Sequence, residues 1–90
     1  MKIQEQENRL TIMNDENILV AEVTYTNVGE DLYIIDNTHV EPAYRGKGFA
    51  KQLVEYLVEK ARLNGKKVLP VCPFANMEFE RRNEYRDVKK

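Results

Sequence analysis

Ninety residues, 42% apolar and 32% charged, suit one domain built around one modest core. No apolar run approaches the roughly 20 residues of a membrane span, and Met1–Glu7 lacks the apolar stretch of a secretory leader. One cysteine and one histidine exclude an internal disulfide and a Cys/His zinc site. The expectation is a monomer of the cytoplasm, with residues 1–90 as a single domain.

The net charge of −1 is unevenly spread. Residues 1–42 carry two basic and nine acidic side chains, whereas residues 43–67 carry seven basic and two acidic. A basic centre in an otherwise acidic chain suits an anionic ligand of limited size. It is a poor match for nucleic acid, whose binding domains are basic overall.

Residues 1–6 are polar and expected to be loose. From Glu7 to Met13, Leu10 and Ile12 alternate with Arg9 and Thr11, which predicts a first strand. Asn14–Asn17 is turn chemistry. Ile18–Thr26 predicts a second strand, with a register change near Ala21–Glu22 that marks a bulge. After the turn Asn27–Asp31, Leu32–Val40 is a third strand, rich in Tyr, Ile and Val. Short turns between these strands predict an antiparallel meander. Pro42 ends it, because proline has no N–H to donate.

A helix is predicted from about Gly48 to Leu63, with Phe49, Leu53, Val54, Leu57, Val58 and Ala61 on one stripe. Asn64–Gly65 stops it. Lys67–Val71 is a fourth strand, parallel to the third because a helix joins them. Pro70 and Pro73 deny donors to a neighbouring strand, so the third and fourth strands should part at their C-terminal ends. Phe74–Arg82 is a short helix, followed by a tail. The expected fold is α/β (α+β in stricter schemes): a small mixed sheet with one long and one short helix.

Between the third strand and the long helix lies Glu41-Pro-Ala-Tyr-Arg-Gly-Lys-Gly-Phe-Ala-Lys51. Two glycines permit sharp bending and close approach of a ligand to the backbone. The helix's first turn adds unpaired N–H groups with partial positive charge. A strand, a Gly-rich turn and a helix N-terminus form a phosphate cradle. The plain alternative is a strand-to-helix turn that needs glycine for its geometry alone.

The spacing Arg45-x-x-Gly48-x-Ala50 resembles the pyrophosphate loop Gln/Arg-x-x-Gly-x-Gly/Ala of the GNAT superfamily, the acetyl-CoA-dependent N-acetyltransferases. The order of strand, Pro-x-Tyr-Arg-Gly-x-Gly turn, helix, Asn-Gly stop and strand, from about Leu32 to Val71, is similar as well. The run Val71-Cys72-Pro73-Phe74 before a short helix resembles a small GNAT-like subfamily, the YjdJ-type domains.

The resemblance implies acetyl-CoA as the bound cosubstrate. Backbone groups of Arg45, Gly46, Lys47, Gly48, Phe49, Ala50 and Lys51 would hold its pyrophosphate. The strand residues Asn37, Thr38, His39 and Val40 would pair with the pantetheine arm. Asn76 matches an asparagine at the start of the superfamily's last helix. The tyrosine that can protonate the leaving thiolate there has no match, because Phe79 stands near its place and Tyr85 comes later. Glu22, Asp36 and Glu41 are the base candidates by position.

Cys72 and His39 should lie at the C-terminal ends of neighbouring parallel strands, where such folds bind ligands. A thiol beside an imidazole can act as a thiolate nucleophile, so Cys72 is a candidate acetyl carrier with His39 as its base. The plain alternative is a buried cysteine and a hydrogen-bonded strand histidine. Only four residues separate Met13 from Ile18, which leaves no room for covering helices and keeps the acceptor side open. The functional expectation is acetyl transfer to an amine, on a protein or another macromolecule. The alternative is a non-catalytic acyl-CoA-binding or regulatory module.

Overall fold

Five strands lie side by side in sequence order in the computed structural model, which describes residues 1–90. They are β1 (Lys2–Gln6), β2 (Arg9–Met13), β3 (Leu19–Val28), β4 (Leu32–Val40) and β5 (Lys67–Pro70). All neighbours are antiparallel except β4 and β5, which are parallel across the crossover helix α1 (Phe49–Asn64). A second helix, α2 (Pro73–Arg81), follows β5 directly. The fold is α+β with a mixed sheet.

The N-terminal residues are not loose, as their polarity implied. Lys2–Gln6 pair with Arg9–Met13 as β1, through a turn that holds Asn8 at φ 63°. Asparagine tolerates this left-handed conformation better than most residues. The second strand is also displaced, running from Leu19 to Val28, and Ile18 remains exposed in the turn. The predicted bulge exists but one residue earlier. Ile12 faces Ala21 and Met13 faces Leu19, so Val20 is the extra residue.

The sheet buries one face against α1. Leu10, Ile12, Val23, Tyr25, Tyr33 and Ile35 meet Leu53, Val54, Leu57, Val58 and Ala61 in one core. Burying each large aliphatic side chain contributes about 1.5–3 kcal/mol. The helix ends at Gly65 in the left-handed conformation (φ 66°), with its N–H bonded back to Arg62. That is the stop Asn64–Gly65 predicted.

The C-terminal tail is part of the core. Val88 and Tyr85 are buried, and the ring of Tyr85 packs on Phe79 at 5.1 Å between centroids. The Val68 N–H donates to the Val88 carbonyl, and the Lys90 N–H donates to Val68, so the tail covers the free edge of β5. Arg62 fastens it by ion-pairing Asp87 at 2.8 Å.

Candidate functional site

The site begins where β4 and β5 separate. They pair in register from Leu32–Lys67 to Ile35–Pro70. The N–H groups of Val71 and Cys72 then both turn onto the Ile35 carbonyl, at 3.2 and 3.1 Å, and the chain enters α2 at Pro73. β4 continues five residues further, to Val40, with β3 as its partner. The edge of β4 that faces β5 is therefore without a strand from Asp36 onward, as the flanking prolines predicted.

A bulge re-aims this free segment. Tyr25 faces Ile35 and Thr24 faces Asn37, which leaves Asp36 as an extra residue in β4. Ahead of the bulge, Tyr33 and Ile35 point into the core. Beyond it Thr38 and Val40, opposite the buried Val23 and Ala21, take over that side. Unbroken alternation would have sent Asn37 and His39 there instead.

The consequence is a correction. The Cys72 thiol meets Thr38, whose hydroxyl lies 3.3 Å from Sγ, and not His39. The His39 ring pairs with Glu41 at 3.2 Å and is exposed. Burial pushes the Cys72 thiol up. The Thr38 hydroxyl and the backbone amides of Ala75, Phe74 and Thr38 outweigh burial and leave it below the ordinary thiol value. Cys72 occupies the N-cap position of α2, a place that favours a thiolate.

From this point a cleft of about 500 Å³ runs over Thr38, His39 and Val40 to the start of α1. Tyr44, Arg45 and Gly46, Gly48 to Lys51, and Phe74 and Glu78 of α2 complete its lining. The loop is set by a 3₁₀ turn at Pro42–Tyr44 and by Gly46 and Gly48 at φ 79° and 83°. That left-handed region is costly for residues with a Cβ. The Tyr44 and Phe49 rings meet edge to face at 6.0 Å, and Asn14 Nδ2 donates to the Tyr44 hydroxyl.

The first turn of α1 carries no side-chain cap and no acidic residue, so no side chain answers its free amides, and Gly48 to Lys51 line the cleft. Arg45 reaches back to donate from Nε to the Val40 carbonyl, bridging loop and strand. Lys51 enters the cleft. Asn37, Lys47, Cys72 and Asn76 are not among its walls. Lys47, Asn37 and Asn76 are exposed, and buried Cys72 lies behind Thr38.

The sequence reading missed three wall residues, Tyr44, Phe74 and Glu78. Glu78 did carry a signal: it occupies the apolar stripe of α2 beside Ala75 and Phe79, and only 4% of it is exposed. A carboxylate in such a stripe is seldom idle. Tyr85, considered as a late proton donor, is buried behind α2 and is absent from the cleft. Burial and the Glu55, Glu78 and Glu84 carboxylates push it up to about 12, against the opposing Arg82 guanidinium.

The fold has counterparts among known proteins. A GCN5-like N-acetyltransferase of Staphylococcus aureus, solved by NMR, superposes with a TM-score of 0.78 at 37% identity, covering 99% of this chain and 87% of that one. The ribosomal-protein-alanine N-acetyltransferase of Brucella melitensis biovar Abortus gives 0.66 at 25% identity over 81% of this chain. An acetyltransferase of Clostridium acetobutylicum, crystallised with acetyl-CoA, shares the fold with a TM-score of 0.60 at 18% identity, again over 81% of this chain. The chain spans 57% and 54% of the length of those two proteins. No curated protein matches significantly. A family model for GCN5-related N-acetyl-transferases matches residues 9–88, which takes in the sheet from β2 onward, the glycine loop and both helices. Pattern, topology and this match agree, and the chain belongs to the GCN5-related N-acetyltransferase family.

Proposed function

We propose that this protein transfers acetyl groups from acetyl-CoA to an amine, with the cleft between β4, α1 and α2 as its site. One observation carries the reading. The strandless edge of β4 links the open N-terminus of α1 at one end to the Cys72 thiol at the other. A phosphate cradle thus stands at one end of a free backbone edge, and at the other a buried thiol lies against Thr38, which lines the cleft.

In this reading the amides from Gly46 to Lys51 hold the pyrophosphate, with Arg45 and Lys51 supplying positive charge and Lys47 adding to the field. The β4 segment Asn37–Val40 offers backbone partners to the amide-bearing arm, and Asn76 stands at the start of α2. The thioester then lies toward Thr38 and Cys72.

Cys72 gives the transfer a covalent route. Its thiolate adds to the thioester carbonyl and forms a new S–C bond, and the C–S bond to CoA breaks. CoA leaves as a thiolate and takes up the proton that Cys72 released. An acceptor amine next attacks acetyl-Cys72, forms the amide and loses a proton to solvent, and the thiol is restored. Thr38 and the α2 amides favour the thiolate that begins this sequence, which leaves His39 outside it. Between β2 and β3 lies only the turn of residues 14–18, with no helix over the acceptor side. That openness favours an amine on a protein or another macromolecule over a buried metabolite.

The test is an amide NMR titration with acetyl-CoA, followed by intact-mass analysis of wild type and Cys72→Ala. Shifts centred on Thr38–Val40 and Arg45–Lys51, with an acetyl adduct in wild type alone, are the expected result. Binding without an adduct or turnover would make this a carrier or regulatory module. No shifts at millimolar acetyl-CoA would reduce the glycine loop to a structural turn.

A further inference from the structure

The sheet has two faces, and both helices lie on one of them. Tyr33, Ile35 and Val68 share a core with α1 and α2. Side chains alternate along a strand, so their neighbours Leu32, Ile34 and Leu69 point to the other face. No helix of the chain covers that side.

The bare face carries an apolar block at one corner. Register sets Val28 against Leu32, and Ile34 against Leu69, across β3, β4 and β5. Val71 follows Leu69 by two residues and extends the row past the end of β5. Leu32, Ile34 and Leu69 are partly buried, while Val28 and Val71 are 43% and 61% exposed. Elsewhere the same face is polar. Arg9 pairs with Glu22 at 2.9 Å, and the Thr26 hydroxyl donates to Asp36 Oδ2 at 2.7 Å. Single exposed apolar residues are ordinary, but a contiguous block on an uncovered face marks a contact surface.

The charge around the block selects its partner. The β3–β4 hairpin, residues 19–40, carries Glu22, Glu30, Asp31 and Asp36 and neither lysine nor arginine. Arg9 answers Glu22. Glu30 and Asp31 sit in the turn between Val28 and Leu32, and Asp36 lies two residues beyond Ile34. These three are exposed and have no ion-pair partner. On the β5 side, the Asp87 carbonyl holds Lys67 at the outer edge, and Lys89 and Lys90 lie beyond the strand. A second copy of this chain would set the hairpin carboxylates against their own kind, and nucleic acid or an anionic membrane would be repelled by them.

We propose that this bare face docks a basic amphipathic helix of a partner protein. The helix lays its apolar stripe over Val28, Leu32, Ile34, Leu69 and Val71, as α1 does on the opposite face, and its lysines or arginines meet Glu30, Asp31 and Asp36. A sheet with one apolar face uncovered is completed by such a layer. The surface lies across the sheet from the cleft between α1 and α2, so docking does not compete with the ligand of that cleft. It stands whether or not the cleft transfers acetyl groups.

The test is an NMR titration of the isotope-labelled full chain. The probe is a helical peptide of about 18 residues of leucine, lysine and alanine, with the leucines on one stripe. Amide shifts should centre on Val28–Ile34 and Leu69–Val71. The same peptide with glutamate in place of lysine should bind at least about tenfold more weakly. Val28→Lys combined with Val71→Lys should weaken the lysine peptide about tenfold, and both sites are exposed enough for the fold to tolerate the change. Asp31→Lys, in the exposed turn, should weaken it as well, and less so at high salt. Saturating acetyl-CoA should leave the peptide affinity within about twofold. Shifts confined to other residues, no shifts at millimolar peptide, or equal binding of the glutamate peptide overturn the proposal. Displacement by acetyl-CoA overturns it too, because the peptide would then occupy the main cleft. None of these outcomes touches the acetyl-transfer reading, which stands or falls on acetyl-CoA binding.

Discussion

The Thr38 hydroxyl stands 3.3 Å from the Cys72 sulfur, at the point where the parallel strands diverge. Thr38 reaches that position because the bulge at Asp36 reverses which side of β4 faces the helices. One extra residue in a strand therefore decides the neighbour of the family member's lone thiol.

The thiol's acidity is predicted to depend on Thr38 and not on His39. Thr38→Val removes a hydroxyl that lowers the Cys72 pKa, so the midpoint should move up. His39→Ala disturbs only the exposed pair with Glu41 and should leave the midpoint in place. A pH titration followed by the Cys72 13Cβ shift separates the two. A midpoint that follows His39 would return the imidazole to the site.

Two glycines with similar backbones should behave differently. Gly48 and Gly65 have φ 83° and 66°, and a Cβ would meet nothing within 4 Å at either. Alanine at either position should cost about 1–2 kcal/mol from the left-handed backbone alone. Only Gly48→Ala should also weaken acetyl-CoA binding, since the open space beside Gly48 is the cleft and that beside Gly65 is the far end of α1. Urea unfolding and calorimetry provide both readings.

Alkaline pH should destabilise the fold through Tyr85. Its folded pKa is pushed up to about 12, from an ordinary value of 10.0. The neutral phenol is favoured in the folded state. Its contribution is whole below pH 10 and is lost as pH rises through about 12. Tyr25 and Tyr56 are raised too, so Tyr85→Phe should lessen the decline without abolishing it. At neutral pH the same variant should lie within about 1 kcal/mol of wild type, because the Tyr85 hydroxyl makes no hydrogen bond. Thermal unfolding between pH 8 and about 12 tests both statements.

The tail should prove structural. Val88 is 3% exposed and its carbonyl receives the Val68 N–H. Val88→Ala should cost about 2 kcal/mol through lost burial and a residual cavity. A change below about 0.5 kcal/mol, the usual range for a surface site, would mean that the tail is detached in solution.

The strongly patterned parts of this chain were legible in advance. The stripe Leu53, Val54, Leu57, Val58 and Ala61 has one periodic solution and gave α1 to within one residue at each end. β1 was not legible. Ile3 is its one apolar residue, and the strand exists because β2 offers unpaired backbone groups to it. The tail was opaque for a similar reason: Val88 and Tyr85 are isolated apolar residues among charges, and only the distant Phe79 and Val68 bury them.

What the sequence determined by itself was local. Gly46 and Gly48 at the mouth of an uncapped helix, and Pro70 and Pro73 at the end of a strand, act on their own backbone and neighbours, so their effects follow from residue type and spacing. The tertiary structure alone decided the partners. A bulge at Asp36 gave Thr38 to Cys72 and turned His39 away, and the approach of α2 to α1 brought Glu78 and Arg81 to Lys51. Those pairings depend on the parity of one strand and the packing of two helices, which no local pattern encodes.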